Sequence, residues 1–277
     1  METPTPLQFE PIKTIRSSEQ VVRSDFSVLL QEIGLSETDI QETTKKLFEL
    51  LDEDISPAVF EENFKVFIFA QNVGDKPFKD AFEALQTRRS ERIYSEVADF
   101  IQSDDKVLDF GCGNGLVGQL LHDRKSLEVE GCDVVVYKDK KVTIPVHKYD
   151  GYLLDVPNGS FETGYANSVL HHDIKPNKAI EEISRVVSKK FILIEDTLQG
   201  KTEEEIALHA QKLFVDDYIY NRLLVNGDIP VPAKYKTASK WIEAFSFFGW
   251  KRSQRDELGW SKILPSVFRE RFIFERN

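Results

Sequence analysis

Lys106-Val-Leu-Asp-Phe-Gly-Cys-Gly-Asn-Gly-Leu-Val-Gly118 is the stretch on which the reading of this chain turns. Val107, Leu108 and Phe110 form a short apolar run of the kind that makes a buried parallel strand. Gly111, Gly113 and Gly115 follow at once, and Leu116, Leu120 and Leu121 then recur at helical spacing. The order is strand, glycine turn, helix N-terminus. Such a turn lets a ligand approach backbone N–H groups closely, because glycine carries no Cβ and tolerates positive φ. A polar or anionic ligand, part of a nucleoside, is expected there.

Two ligand classes compete for the turn. Gly113, Gly115 and Gly118 fit G-x-G-x-x-G, and Asp133 follows at the distance a dinucleotide site asks for. The register argues against that reading, because a dinucleotide turn closes its strand with the first glycine, whereas Asp109 and Gly111 precede Gly113 here. An acid inside an apolar strand costs several kcal/mol unless donors meet it. Asp109 is therefore expected to orient the glycine loop through backbone N–H groups or to reach a cationic ligand.

Val-Leu-Asp-Phe-Gly-Cys-Gly-Asn-Gly resembles the first motif of the class I S-adenosylmethionine-dependent methyltransferases, and the resemblance runs from about Arg92 to the C-terminus. It implies an α/β, Rossmann-like, doubly wound sheet of seven strands, the last antiparallel, binding S-adenosyl-L-methionine. It also implies cofactor contacts at the turn from Asp109, Gly111, Cys112, Gly113, Asn114 and Gly115. Asp133 matches the acid that ends strand two and binds the ribose hydroxyls, with Val134 beside it. Asp150-Gly151 matches the pair next to the adenine amino group, and Asn167 lies at the end of strand four. Asn167-Ser-Val-Leu-His-His172 resembles that strand's Val-Leu-His-His ending, and Ala179–Val187 the Leu-x-Glu-x-x-Arg-Val helix after it. Two departures stand out: Glu162 replaces the usual Asp, and Ser188-Lys189-Lys190 replaces the usual Lys-Pro-Gly-Gly turn.

Methyl transfer from a sulfonium asks the protein to align a nucleophile, exclude water and, where needed, remove a proton. His171 and His172 are the candidate bases at the end of strand four, and strand alternation would let only one of them face a pocket. Glu195 after strand five, and Asp217, Tyr218 and Arg222 in the segment that follows, are expected to touch the acceptor, as is Trp260. The competing reading of the Asp216–Arg222 cluster is a solvated helix face. Trp241 and Phe245, at helical spacing, read as core.

Along the rest of the chain, Met1–Ile15 reads as a loose arm. Val22, Phe26, Leu29, Leu30 and Ile33 make an apolar helical stripe closed by Gly34, Ser36 opens a second helix, and Ser56-Pro57 a third. Residues 1–89 are thus expected to be a helical cap: a substrate cover, or a stabilising or homodimer surface. Residues 90–277 would be the methyltransferase domain, with a lid insertion at about 202–232 that orders on ligand binding. Ser90 would cap the helix leading into the first strand. Strands are expected at Leu127–Asp133, Val142–Val146, Tyr165–Leu170, Phe191–Ile194 and near Trp250–Glu257 and Phe268–Phe274. A helix is expected from Thr202 to Leu224, ended by Asn226-Gly227.

At 277 residues and a formal charge of −11, the chain has room for a full core and lacks a strong Lys/Arg run, which disfavours nucleic acid and anionic membranes as partners. No apolar stretch approaches the ~18 residues of a membrane span, and no signal peptide is evident. Cys112 and Cys132 are the only cysteines; they suit a reducing cytoplasm and offer too few ligands for a metal. The expected function is methyl transfer to a small organic acceptor at oxygen, nitrogen or carbon. The alternatives are non-methylating chemistry with the same cofactor, or a non-catalytic partner subunit.

Overall fold

A computed structural model describes residues 9–136, 139–225 and 229–276. The chain divides into two compact units. One, helical, takes the residues up to Gln86 together with Leu198–Tyr235 and Gly259–Phe268; the other, α/β, takes Thr87–Thr197, Lys236–Leu258 and the stretch from Arg269 onward.

The α/β unit is built on seven strands: β1 (Lys106–Phe110), β2 (Glu128–Asp133), β3 (Val146–Lys148), β4 (Phe161–Asn167), β5 (Val187–Asp196), β6 (Lys251–Trp260) and β7 (Phe268–Glu275). Their order across the sheet is β3-β2-β1-β4-β5-β7-β6. β3, β2, β1, β4 and β5 are mutually parallel and β7 runs antiparallel to β5, with Leu193 opposite Phe272. This is the expected doubly wound mixed sheet. Strand order reverses between β1 and β4, and in such sheets ligands bind at the carboxyl ends beside that switch point.

Alternation along the strands fills a core on each face. Leu108, Phe110, Phe191, Leu193, Phe272 and Phe274 pack with Ile180, Ile183, Trp241 and Phe245 from the helices Pro176–Val186 and Ala238–Phe247. Phe245 stacks on Phe274 with ring centroids 4.3 Å apart. Val107, Val129, Tyr165, Ile192 and Ile194 pack on the other face with Val97, Ile101 and Leu121. Trp241 and Phe245 are core, as read.

Local chemistry moves several boundaries. The strand expected at Val142–Val146 begins only at Val146, because Pro145 has no N–H for a ladder. Val142 and Ile144 are instead buried as plugs in the preceding loop, whose Thr143 and Ile144 N–H groups donate to Gln119 Oε1 at 2.7 and 3.3 Å. Ser188-Lys189-Lys190 is no turn: the helix Pro176–Val186 passes directly into β5. Ser90 caps nothing. It is buried inside one helix, Phe78–Val97, whose 87–92 stretch contains no breaker, and the boundary between the units falls within that helix.

In the helical unit, Ser36 Oγ accepts the Asp39 N–H at 3.2 Å and Ser56 Oγ the Val59 N–H at 3.4 Å, capping the helices Glu37–Asp52 and Pro57–Phe69 as expected. Gly34 ends its helix at φ +109°. The N-terminal arm is helical from Pro11 to Ser17. The helix Glu203–Tyr218 starts on a capping box between Thr202 and Glu205 and continues as a π-turn, Ile219–Leu224. Its Leu213, Phe214, Leu223 and Leu224 join Phe26, Leu29, Leu47, Phe60, Phe64 and Phe78 in one core. The segment read as a lid thus contributes buried residues to the helical unit's core. Asn226-Gly227 lies outside the described residues. Among the described residues, no helix is long and apolar enough to cross a membrane.

Candidate active site

The carboxyl ends of β1 to β5 bring most of the expected residues to one edge of the sheet. After Phe110, Gly111, Gly113 and Gly115 all hold positive φ, +75°, +54° and +79°. Each glycine answers a different demand. A Cβ on Gly111 would run into Val169, and one on Gly115 would lie 2.9 Å from Val142 Cγ1, so these two are small because protein packs against them. A Cβ on Gly113 would meet nothing within 4 Å. That is the open side of the turn.

The turn is tied to β2. The Gly111 and Cys112 N–H groups donate to the Cys132 carbonyl at 2.8 and 3.0 Å, and the Gly113 N–H donates to Asp133 Oδ2 at 2.8 Å. Asp133 Oδ1 accepts the Val135 N–H at 3.2 Å. A carboxylate has about four lone-pair sites, so two remain for a ligand's hydroxyl groups. Asn114 Oδ1 accepts the Leu116 N–H at 3.2 Å, which bridges the turn to the first residue of the following helix. Cys112 is buried, close enough that a Cβ on Gly131 would sit 2.8 Å from its Sγ. Burial, with Asp109 and Asp133 nearby, pushes its thiol far up, so it stays protonated.

Asp109 lies beneath the turn. Burial is the main cause that pushes its carboxyl up to about 7; the Tyr165 hydroxyl and the Gly118 backbone pull it down, and the charge of Asp133 adds to the rise. It faces the start of the helix Leu116–Lys125, where a Cβ on Gly118 would lie 3.3 Å from its Oδ2.

Val134, Val135 and Val136 follow Asp133 with nearly half of each side chain in solvent. Beside them the Tyr149 N–H donates to the Asp133 carbonyl at 2.8 Å, which brings Asp150-Gly151 to the same edge. Asp150 Oδ1 accepts the Tyr152 and Leu153 N–H groups at 2.8 and 2.7 Å, and these bonds hold its carboxyl below the usual range. Gly151, at φ +88°, has open space where a Cβ would be, and Tyr152 and Leu153 are exposed apolar groups. Acids flanked by exposed apolar side chains and an open glycine turn fit a nucleoside: hydroxyl acceptors for a sugar, flat apolar surface for a base.

β4 ends at Asn167, earlier than expected. Asn167 Oδ1 accepts from Arg269 Nη2 at 2.9 Å, and Arg269 is held by a bidentate pair with Glu96, both contacts 2.7 Å. Ser168 then turns the chain at φ +51° into a 3-10 turn, Leu170–His172. The histidines thus sit on a turn rather than on a strand, so alternation does not separate them: their ring centroids are 4.2 Å apart. His171 is buried and His172 half-buried.

Glu195, expected to meet the acceptor, faces the chain instead. It is fully buried, Oε1 accepting the Val169 and Leu170 N–H groups at 3.1 and 2.7 Å and Oε2 lying 2.6 Å from His171 Nδ1. β4 pairs with β5 at Asn167 opposite Ile194. That adjacency was the signal by which the sequence could have linked His171 to Glu195.

The remaining expected contacts belong to the helical unit. Tyr218 donates its hydroxyl to Glu61, and Arg222 Nη2 lies 2.5 Å from Glu61 Oε2. Asp217 accepts from the Tyr235 hydroxyl at 2.5 Å and from Asn221 Nδ2 at 2.6 Å. The cluster is a buried polar network rather than a solvated face. Trp260 is half-exposed, with its ring edge-on to His209 and Phe268 at centroid distances of 5.4 and 5.1 Å.

No curated protein sequence matches the chain. Among solved structures it is similar to the MccD protein (13% identity, 68% of this chain and 97% of that one, TM-score 0.51). It is also similar to a SAM-dependent methyltransferase from Methanosarcina mazei (16%, 65% and 96%, 0.47) and to the [4+2]-cyclase SpnF (13%, 67% and 80%, 0.49). At such identities the likeness is one of fold. A family model described as a methyltransferase domain matches residues 82–229. That span is more than half of the chain and holds the glycine turn, both strand-end acids and the His171–Glu195 pair: the chain belongs to the methyltransferase domain family.

Proposed function

We propose that the protein is an S-adenosylmethionine-dependent methyltransferase acting on a small organic acceptor. The observation that carries this reading is the Gly113 N–H held by Asp133 on a turn whose outer side is open. The family implies the cofactor, and the donor set suits it. Asp133 would take the ribose hydroxyls, Val134 and Gly151 would border the base, and Asp150 would accept from its amino group. When bound, the cofactor supplies an electrophilic methyl carbon and retains the electrons of its carbon–sulfur bond. The chain's own tasks are to align the acceptor, exclude water and take a proton where the acceptor carries one.

His171 is the group proposed for that proton. His172, whose ring lies against it, borders the same turn. A positioned general base contributes about 10²–10⁴-fold in rate. The test has two parts. Calorimetry should find micromolar binding of S-adenosylmethionine and S-adenosylhomocysteine and none of NAD, and a labelled-methyl assay against a metabolite mixture should yield a methylated product. Tight NAD binding, or no binding of either sulfur compound, overturns the assignment.

A further inference from the structure

β6 lies at one edge of the seven-stranded sheet and is ten residues long. Its contacts within the chain run to β7: Arg255 Nε donates to Glu270 at 2.7 Å, Asp256 Oδ2 accepts from Arg271 Nη2 at 2.7 Å, and the Ser253 hydroxyl donates to the Ile273 carbonyl at 3.3 Å. Among the described residues no strand pairs with its other side, and Lys251–Arg255 and Glu257 are exposed. Such an edge presents a row of backbone donors and acceptors to which another strand can add. Natural edges are guarded by proline, by a bulge or by charges that repel a second copy. Lys251–Leu258 contains no proline, and its charges are sorted by sign: Lys251 and Arg252 at the start, Asp256 and Glu257 at the end, Gln254 between them.

Laid antiparallel on itself about Gln254, the segment puts Lys251 opposite Glu257, Arg252 opposite Asp256 and Ser253 opposite Arg255. The residues of each pair are an even number of positions apart, so with the two-fold axis normal to the sheet both lie on one face of the joined sheet. The symmetry makes each unlike pair twice. Opposite charges directly across a ladder stabilise it and like charges destabilise it. Pairing centred on Arg255 instead would set two arginines face to face, so the charges favour one register. Asp256 is already held by Arg271, but Lys251, Arg252 and Glu257 enter no ion pair among the described residues.

We propose that a second copy of this chain docks on β6, the two edges pairing antiparallel about Gln254 so that two sheets become one. The contact belongs to the α/β unit alone, unlike the homodimer surface expected on residues 1–89, and it does not depend on the methyl-transfer reading.

Sedimentation equilibrium of the whole protein over the micromolar range tests it. The parent is expected to be a dimer that weakens as salt rises. Lys251→Glu sets glutamates opposite each other and Glu257→Lys sets lysines opposite each other, so each variant alone should dissociate about tenfold more readily, or more. Mixing the two variants restores an unlike pair at both positions, and they should recombine as a heterodimer. The double variant, Lys251→Glu with Glu257→Lys, should dimerise on its own. Both side chains are exposed, and circular dichroism checks that the variants keep the fold. A monomeric parent overturns the proposal, whether the edge is bare or takes a different protein. A dimer that both single variants leave intact overturns it too, and so do single variants that separate and do not recombine.

Discussion

The backbone N–H of Gly113 and the carboxylate of Asp133 are hydrogen-bonded at 2.8 Å, so the acid at the end of β2 holds in place the glycine turn that follows β1. One side chain thus serves the chain and, in the proposed function, the ligand. Asp133→Ala removes both roles. Loss of a ribose acceptor and a turn brace should cost about 1–3 kcal/mol in cofactor binding, roughly ten- to hundredfold in Kd. Calorimetry with S-adenosylhomocysteine measures it, and an unchanged Kd contradicts the assigned role.

Gly111 and Gly113 should respond differently to alanine. Both hold positive φ, which disfavours any Cβ by about 1–2 kcal/mol. At Gly111 the new Cβ also collides with Val169, whereas at Gly113 it enters open space. Gly111→Ala is expected to lower the melting temperature clearly. Gly113→Ala is expected to lower it less, by the backbone cost alone, and to weaken cofactor binding as well. Thermal melts and calorimetry on the two variants separate the effects.

Asp109 gives a pH dependence with a definite sign. Its carboxyl is pushed up to about 7 from the ordinary aspartate value of 3.8, chiefly by burial. Between those values the unfolded chain releases this proton and the folded chain keeps it. The folded state binds more protons there, so its stability falls as pH rises through that window. Asp109→Asn cannot titrate, so its stability relative to the parent should improve steadily from about pH 4 to pH 7 and then level off. Denaturant titrations across that range check it; a constant difference between the two proteins contradicts it.

The pair between Glu61 and Arg222 tests whether the segment after Thr202 is structural. Arg222 keeps about a fifth of its side chain exposed, so Arg222→Ala should cost about 2–4 kcal/mol, below the range for a fully buried pair. Replacing both residues by leucine should recover part of the loss, since no charge is then left unpaired. Recovery is incomplete because the Tyr218 hydroxyl also donates to Glu61. Urea unfolding of the single and double variants measures both numbers.

The sequence carries the α/β unit well because its signals are local. Gly111, Gly113 and Gly115 announce a turn only glycine can make; Asp133 is a polar group at the end of β2, and Asp150-Gly151 is a turn pair two residues past β3. Serines 36 and 56 cap helices through neighbours three residues away, again local chemistry. Ser90 misleads for the opposite reason: a good cap residue inside an unbroken helix is buried by packing that periodicity does not display. Glu195 reads as an acceptor contact from its place after strand five, a position that does not show which way the side chain turns. Its real partners, Val169, Leu170 and His171, are set by the pairing of β4 with β5 and lie some 25 residues away. Asp217, Tyr218 and Arg222 look like a ligand-binding cluster for the same reason. A helix stripe tells which face is buried, not what covers it.

The helical core closes late. Phe26, Leu47, Phe60 and Phe64 are near the front of the chain, but Leu213, Phe214, Leu223 and Val267 complete their surroundings. On a ribosome working at ~5–20 residues per second, the first helices wait tens of seconds for those partners, with apolar faces uncovered meanwhile. The helices between Pro11 and Phe69 thus lack part of their apolar cover until the chain is almost complete. Limited proteolysis of stalled nascent chains would show these helices gaining protection only once Val267 has left the exit tunnel.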